Sequence, residues 1–125
     1  MKLILKQLLI LSFALTFISG CSSQKNIQGR IIDISFSVLE QKINKKEDFI
    51  LQFSKRNCPH CLLLEKTEKE FLRKNEIKIF RFQIDENQKD FNENQEFIIS
   101  NFPDLDMVPS VYWMEKGRAE NQLPI

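Results

Sequence analysis

The feature that most constrains the fold is a pair of cysteines placed directly behind a dense apolar segment. Residues 48–54 (DFILQFS) have strand length, and their almost continuous apolar character is typical of a strand buried on both faces. Residues 57–61 (NCPHC) follow, and Pro59 suits the first position of a helix, where a missing N–H costs nothing. The sequence therefore predicts a strand, a short loop and a helix that begins at the cysteines.

The rest of the chain alternates between strand and helix patterns. Ser37 and Glu40 form a predicted capping box at the start of a helix that runs to about residue 46. In the helix predicted over 59–74, Leu64, Phe71 and Leu72 are expected to face the core, and the charged residues between 65 and 78 to form a solvated surface. Further strands are predicted over 31–34, 77–84, 110–115 and up to about 123, with a helix over 88–101 and a turn at Lys116-Gly117. This order predicts an α/β sandwich with a central sheet flanked by helices.

The first twenty residues are predicted to be a secretory signal peptide. Lys2 and Lys6 supply positive charge, an apolar run follows over residues 8–18, and the small residues Ser19 and Gly20 come next. The apolar run is too short for a membrane-spanning helix. We therefore expect the mature domain to lie outside the cytoplasm.

The segment Ile18-Ser19-Gly20-Cys21 resembles the bacterial lipobox, in which the cysteine is lipidated with acyl chains such as palmitate and becomes the first mature residue. This implies an anchor at Cys21 on the outer side of the cell membrane. The polar residues 22–30 are then a tether, and residues 31–125 form the folded domain. Lipid on Cys21 would also leave Cys58 and Cys61 as an even pair.

The charge balance of the chain is close to neutral. The formal net charge is +1 for the whole chain and −1 once Lys2 and Lys6 are removed with the signal peptide. Such a balance gives no support for nucleic-acid binding or for electrostatic attraction to membranes.

Three interpretations of Cys58 and Cys61 are open from the sequence: a redox pair, part of a metal site, or a static disulfide. A zinc site needs about four ligands, whereas two thiols and His60 lie within one helical turn, so no metal is predicted. Haem attachment requires a histidine where Leu62 stands, and no cofactor is predicted. A static disulfide remains open because small exported domains use such bonds.

If the pair is redox-active, the two cysteines have different roles. Cys58 at the N-cap lies beside free backbone N–H groups, which favour its thiolate, so Cys58 is the predicted nucleophile and Cys61 the resolving thiol. Pro59 and His60 are expected to tune the acidity of Cys58, with added positive potential from Lys55 and Arg56.

Three segments together resemble the thioredoxin family. They are FSKRNCPHC after a buried strand, IKIFRFQIDEN as the next strand, and MVPSVYWMEKG as a strand preceded by a cis-proline. The resemblance covers roughly residues 31–123 and implies a thioredoxin-like sandwich with a mixed sheet. The motif Cys-Pro-His-Cys, with Val108 before the proline, is similar to that of oxidising disulfide enzymes of the DsbA type. The leader is similar to that of thioredoxin-like lipoproteins, some of which are bacteriocin transport accessory proteins.

The resemblance also implies that the Val108-Pro109 bond is cis, packs against the Cys58–Cys61 disulfide and binds an extended client peptide. Two positions depart from the family pattern. Asn57 replaces a substrate-facing tryptophan, and Gln52 replaces a buried carboxylate that assists proton transfer. The chain also ends at Ile125, where the family has a C-terminal helix that covers one sheet face; either the sequence is truncated or this variant leaves that face for a partner.

The resulting hypothesis is a membrane-anchored, extracytoplasmic thiol–disulfide oxidoreductase. Its expected partners are exported proteins or peptides that contain cysteine, and a redox partner that re-oxidises or reduces the pair. The alternatives are a redox accessory to bacteriocin or peptide export, and a non-catalytic binding module stapled by Cys58 and Cys61.

Overall fold

Five strands form one mixed sheet in the computed structural model, which describes residues 28–124. In chain order the elements are β1 (Arg30–Asp33), α1 (Phe36–Asn44), β2 (Phe49–Ser54), α2 (Pro59–Leu72), β3 (Lys78–Gln83), α3 (Gln88–Glu93), α4 (Gln95–Asn101), β4 (Ser110–Glu115) and β5 (Arg118–Leu123). The order across the sheet is β1-β3-β2-β4-β5. Strand β3 is parallel to β1 and β2, whereas β4 is antiparallel to β2 and β5. The predicted α/β class with a mixed sheet is confirmed.

Successive side chains of the central strand β2 point to opposite faces of the sheet. Phe49, Leu51 and Phe53 alternate along it and are at most 5% exposed. They pack with α1 and α4 in a core whose buried members are Ile34, Phe36, Leu39, Phe49, Leu51, Phe53, Phe82, Ile98, Phe102, Tyr112 and Met114. The alternate residues Gln52 and Ser54 are also buried, on the face covered by α2. The prediction of a strand buried on both faces is confirmed.

The ends of several elements differ from the prediction. Helix α1 begins at Phe36 with Ser35 as its N-cap, so the predicted capping box at Ser37 and Glu40 is wrong. The helix thus starts one residue before Ser37, and its first residue, Phe36, packs in the buried core. The helix predicted over 88–101 is divided at Asn94, whose side-chain amide donates to the carbonyl oxygen of Asp90 at 2.8 Å.

The folded domain also begins earlier than predicted. The N–H of Gly29 donates to the carbonyl oxygen of Leu72 at 2.9 Å, and Arg30 is the first residue of β1. A Cβ atom on Gly29 would overlap the carbonyl oxygens of Asn75 and Ile77, so the close approach requires glycine. Residues 29 and 30 are therefore part of the fold rather than of a tether.

The inner face of α2 is rotated relative to the prediction. Cys61, Glu68 and Leu72 are buried, whereas Phe71 is 50% exposed and Leu64 is partly buried. The prediction that Phe71 faces the core is therefore wrong. The prediction that all charged residues of this helix are solvated is also wrong, because Glu68 is buried. The helix turns a carboxylate, not a phenyl ring, toward the sheet.

The predicted signal peptide, Cys21 and most of the predicted tether lie outside the described residues. No helix within residues 28–124 has the length and apolar character needed to cross a membrane. The last element of that range is β5, which forms a hairpin with β4 through Lys116 and Gly117, both with positive φ. Gly117 at φ +74° fits such a turn, and the predicted hairpin is confirmed.

Candidate active site

The two cysteines lie at the start of α2, as the sequence predicts. Cys58 is the N-cap residue, Pro59 is the first helical residue, and Cys61 lies one turn further on. Their Cα atoms are 5.1 Å apart, and their sulfur atoms form a disulfide. The helix that begins at Pro59 thus places the two cysteines, three positions apart, within bonding distance of each other.

The sulfur of Cys58 serves as the cap of the helix. The backbone N–H of Cys61 donates to Cys58 Sγ at 3.2 Å. The first N–H groups of a helix have no intrahelical partner and form the positive end of its dipole. When the disulfide is reduced, this environment favours a thiolate on Cys58.

The two sulfurs differ in their access to solvent. Cys58 is partly exposed, whereas Cys61 is only 3% exposed. An incoming thiolate must approach along the exposed side, so it meets Cys58 first. The geometry therefore agrees with Cys58 as the attacked and attacking sulfur and Cys61 as the resolving one.

The segment Val108-Pro109 lies against the disulfide. Its peptide bond is cis, as expected, and the carbonyl oxygen of Val108 is 3.9 Å from Cys58 Sγ. Strand β4 begins immediately afterwards, and Ser110 pairs with Phe53 of β2. The Ser110 hydroxyl donates to the carbonyl oxygen of Met107 at 2.7 Å and so closes the loop before the strand. Residues fifty positions apart are in this way brought to one site.

An open groove of about 730 Å³ runs beside the disulfide. Leu63 and Met107, which both line it, are each 65% exposed. The groove is lined by His60, Leu63, Leu64, Thr67, Met107, Val108, Pro109 and Pro124. Its apolar lining suits an extended peptide with apolar side chains.

Comparison with solved structures identifies the fold. A candidate oxidoreductase with a thioredoxin fold superposes with a TM-score of 0.60 at 13% identity, covering 74% of this chain and 80% of the other. Thioredoxin from Trypanosoma brucei brucei gives 0.57 at 10% identity and 82% coverage of both chains. Oxidised thioredoxin O1 from Arabidopsis thaliana gives 0.56 at 12%, covering 74% and 83%. This chain has a thioredoxin fold. No protein-family model and no curated protein matches the sequence.

The residues around the thioredoxin-fold disulfide carry less free positive charge than the sequence suggested. Arg56 forms an ion pair with Glu86, and its backbone N–H donates to Asp85 Oδ2 at 3.1 Å. Lys55 and His60 are exposed. The charge of Arg56 is therefore offset by the nearby Glu86. The roles of Pro59 and His60 in tuning the acidity of Cys58 remain predictions.

A polar layer lies beneath the disulfide, between α2 and the sheet of this thioredoxin fold. Asp33, Arg81 and Gln52 are register neighbours on β1, β3 and β2. Arg81 donates to both carboxylate oxygens of Asp33, at 2.6 and 3.0 Å, and to Glu65 Oε2 at 2.8 Å. Hydrogen bonding to Asp33, against the effect of burial, raises the pKa of Arg81 and keeps it charged.

Glu68 is the member of this layer that sequence analysis missed. It is 8% exposed, and in the amide orientation that satisfies both side chains, Gln52 Nε2 donates to Glu68 Oε1 at 3.0 Å and to Oε2 at 3.2 Å. Burial raises the pKa of Glu68 to about 7, although Arg81 opposes the shift. Gln52 was the available signal, because a buried amide in an apolar strand requires a polar partner.

No group of three or more His, Cys, Asp or Glu side chains within residues 28–124 is arranged to hold a metal ion.

Proposed function

We propose that the protein is a membrane-anchored, extracytoplasmic thiol–disulfide oxidoreductase that exchanges disulfides with exported proteins through Cys58 and Cys61. The observation that carries the proposal is the asymmetry of the pair. The partly exposed Cys58 sulfur is capped by a helix N–H at 3.2 Å, whereas Cys61 is buried. A structural staple needs neither feature, but disulfide exchange requires an accessible sulfur that leaves and attacks as a thiolate.

In the oxidising direction, a client thiolate attacks Cys58 Sγ, the bond between Cys58 and Cys61 breaks, and Cys61 leaves as a thiolate that takes up a proton. A second client thiolate then attacks the client sulfur of the mixed disulfide and releases Cys58 as a thiolate. The client loses two electrons and the protein gains them. A separate partner with a disulfide or another two-electron acceptor must re-oxidise the pair.

The oxidising direction is favoured by the sign of the thiolate effect. Stabilising the Cys58 thiolate stabilises the reduced protein, which makes its disulfide a better oxidant. Each tenfold stabilisation corresponds to about 30 mV for a two-electron couple. The client chain is proposed to lie in the groove between Leu63 and Met107 and to pair with the backbone of Val108, as an added strand.

The proposal is tested by mixing the oxidised protein with a reduced, unfolded test protein and following both the loss of client thiols and the recovery of its folded activity. We expect oxidation of the client with matching reduction of the Cys58–Cys61 pair. A disulfide that neither reacts with client thiols nor equilibrates with glutathione would instead identify a stapled binding module.

The anchor is tested separately. We expect Cys21→Ser to move the protein from the membrane fraction to the soluble extracytoplasmic fraction, or to block processing of the leader, because lipid can no longer be attached. Membrane fractionation and the mass of the mature chain measure this. Ser23→Ala is the matched control and should remain in the membrane fraction. Normal cleavage with unchanged membrane retention of Cys21→Ser would contradict the anchor.

A further inference from the structure

The inner face of α2 carries two acids behind the resolving cysteine. Cys61, Glu65 and Glu68 are separated by four and three positions, so they lie along one side of the helix. Glu65 is partly buried, whereas Glu68 is 8% exposed. A buried carboxylate is costly unless it is paired or takes up a proton. The two acids achieve this in different ways.

Glu65 is stabilised as an anion. It forms an ion pair with Lys69 on the same helix and accepts a hydrogen bond from Arg81 at 2.8 Å. The hydrogen bond from Lys69 lowers the pKa of Glu65. Burial opposes this effect, and the hydrogen bond and charge of Arg81 lower the pKa further. This carboxylate therefore remains ionised over the neutral pH range.

Glu68 has no such dedicated cation. Arg81 is the cation of β3 that acts on it, and Arg81 already bonds Asp33 of β1 and Glu65 of α2. Strand β2 offers the neutral Gln52, and the residue of β4 opposite Gln52 is the apolar Val111. Glu65, one turn earlier, adds negative potential. The Glu68 carboxyl group is thus poised to change its protonation state near neutral pH.

The cysteines are close enough to act on that equilibrium. The charge that appears on reduction is the thiolate of Cys58, and Glu68 lies ten positions further along the chain, roughly 15 Å along the axis. Side chains of a helix lean toward its N-terminus, and Cys58 Sγ lies back over the first turn, 3.2 Å from the backbone N of Cys61, so the carboxyl group and the sulfur are nearer to each other than this backbone distance. At an effective dielectric constant of about 20, two unit charges about 10 Å apart change each other's ionisation equilibrium by about one order of magnitude.

We propose that Glu68 is a proton-linked positioning residue of the Cys58–Cys61 couple, which takes up a proton when the disulfide is reduced and releases it when the disulfide re-forms. The inference rests on the proposed function. Two client thiols lose two electrons and two protons and form a disulfide. The electrons break the Cys58–Cys61 bond, and one proton goes to the sulfur of Cys61. The other goes to Glu68 in molecules where that carboxyl group is ionised before reduction, and to solvent where it is already protonated. Cys58 remains a thiolate at the helix N-terminus, so charge and atoms balance.

The direct test is the titration of Glu68 in the full chain, labelled with ¹³C at glutamate, in the oxidised and the reduced state. We expect the midpoint of the Glu68 carboxyl signal to lie higher in the reduced protein by about one unit, because a tenfold change in the equilibrium is one unit of pKa. The same midpoint in both states would overturn the inference. This measurement needs no variant, apart from the assignment of the signal.

The second test is the pH dependence of the equilibrium with glutathione. We expect the wild-type profile to bend near pH 7. Glu68→Gln should remove the bend, and Glu65→Gln, on the same helix, should retain it. A purely structural role for Glu68 would alter stability without removing the bend, so a bend that persists in Glu68→Gln would overturn the inference. A pair that does not equilibrate with glutathione at all would instead refute the proposed function.

Discussion

Cys58→Ser should abolish disulfide exchange with a client, lowering its rate by at least about a thousandfold, the scale on which enzymes lose activity without their nucleophile. Cys61→Ser should instead accumulate a mixed disulfide between Cys58 and the client. In Cys61→Ser the exposed sulfur can still form the intermolecular bond, but no resolving thiol lies beside it. Non-reducing gels with mass spectrometry of the reductant-sensitive bands measure both results.

The double variant Cys58→Ser/Cys61→Ser is the matched control, since it keeps the size of both side chains and should trap no client. Trapping by Cys58→Ser through Cys61 would contradict the assigned roles. That outcome would require a buried sulfur, 3% exposed, to meet the client before the partly exposed one.

The unfolding free energy of the oxidised protein should fall by up to about 3 kcal/mol between pH 4.5 and pH 7 because of Glu68 alone. In the unfolded chain this carboxyl group ionises near pH 4.5, whereas in the folded protein its pKa is about 7. Over that interval the folded state holds a proton that the unfolded state releases, so rising pH favours unfolding. Urea denaturation at pH 5 and pH 8 measures the difference.

Glu68→Gln isolates this contribution, because glutamine resembles the protonated acid at every pH. Relative to the wild type, the variant should be about equally stable at pH 5 and more stable at pH 8. Glu65→Gln is the opposite control: the lowered pKa of Glu65 stabilises the fold above its unfolded pKa, so this variant should lose stability at pH 8. Equal pH dependence in the wild type and in Glu68→Gln would contradict the prediction.

The sequence predicted the elements of the site but not the layer beneath it. Apolar β2, Pro59 at a helix start and Val108-Pro109 before β4 are local signals, and each holds in the structure. Glu68 could not be identified from such local signals, because its burial depends on packing against Gln52 of β2; a buried amide there indicates a polar partner but not which one. The apolar periodicity of α2 instead predicts that Phe71 faces the core. In the structure, Cys61 and Leu72 face the sheet, and this rotation of the helix leaves Phe71 exposed.

The antiparallel pairing of β2 with β4 has a consequence for how this site can change over time. The disulfide follows the end of β2, Val108 precedes the start of β4, and the backbone ladder between Phe53 and Ser110 sets the distance between them. The loop over residues 103–107, between α4 and β4, joins the ladder without contributing to it. Because the entropic cost of a loop grows slowly with its length, that intervening segment can lengthen or diverge while the two halves of the site keep their spacing. Under the proposed function, the groove wall at Met107, at the end of this segment, can therefore change the client peptides that it accepts without any change in the geometry of the two sulfur atoms.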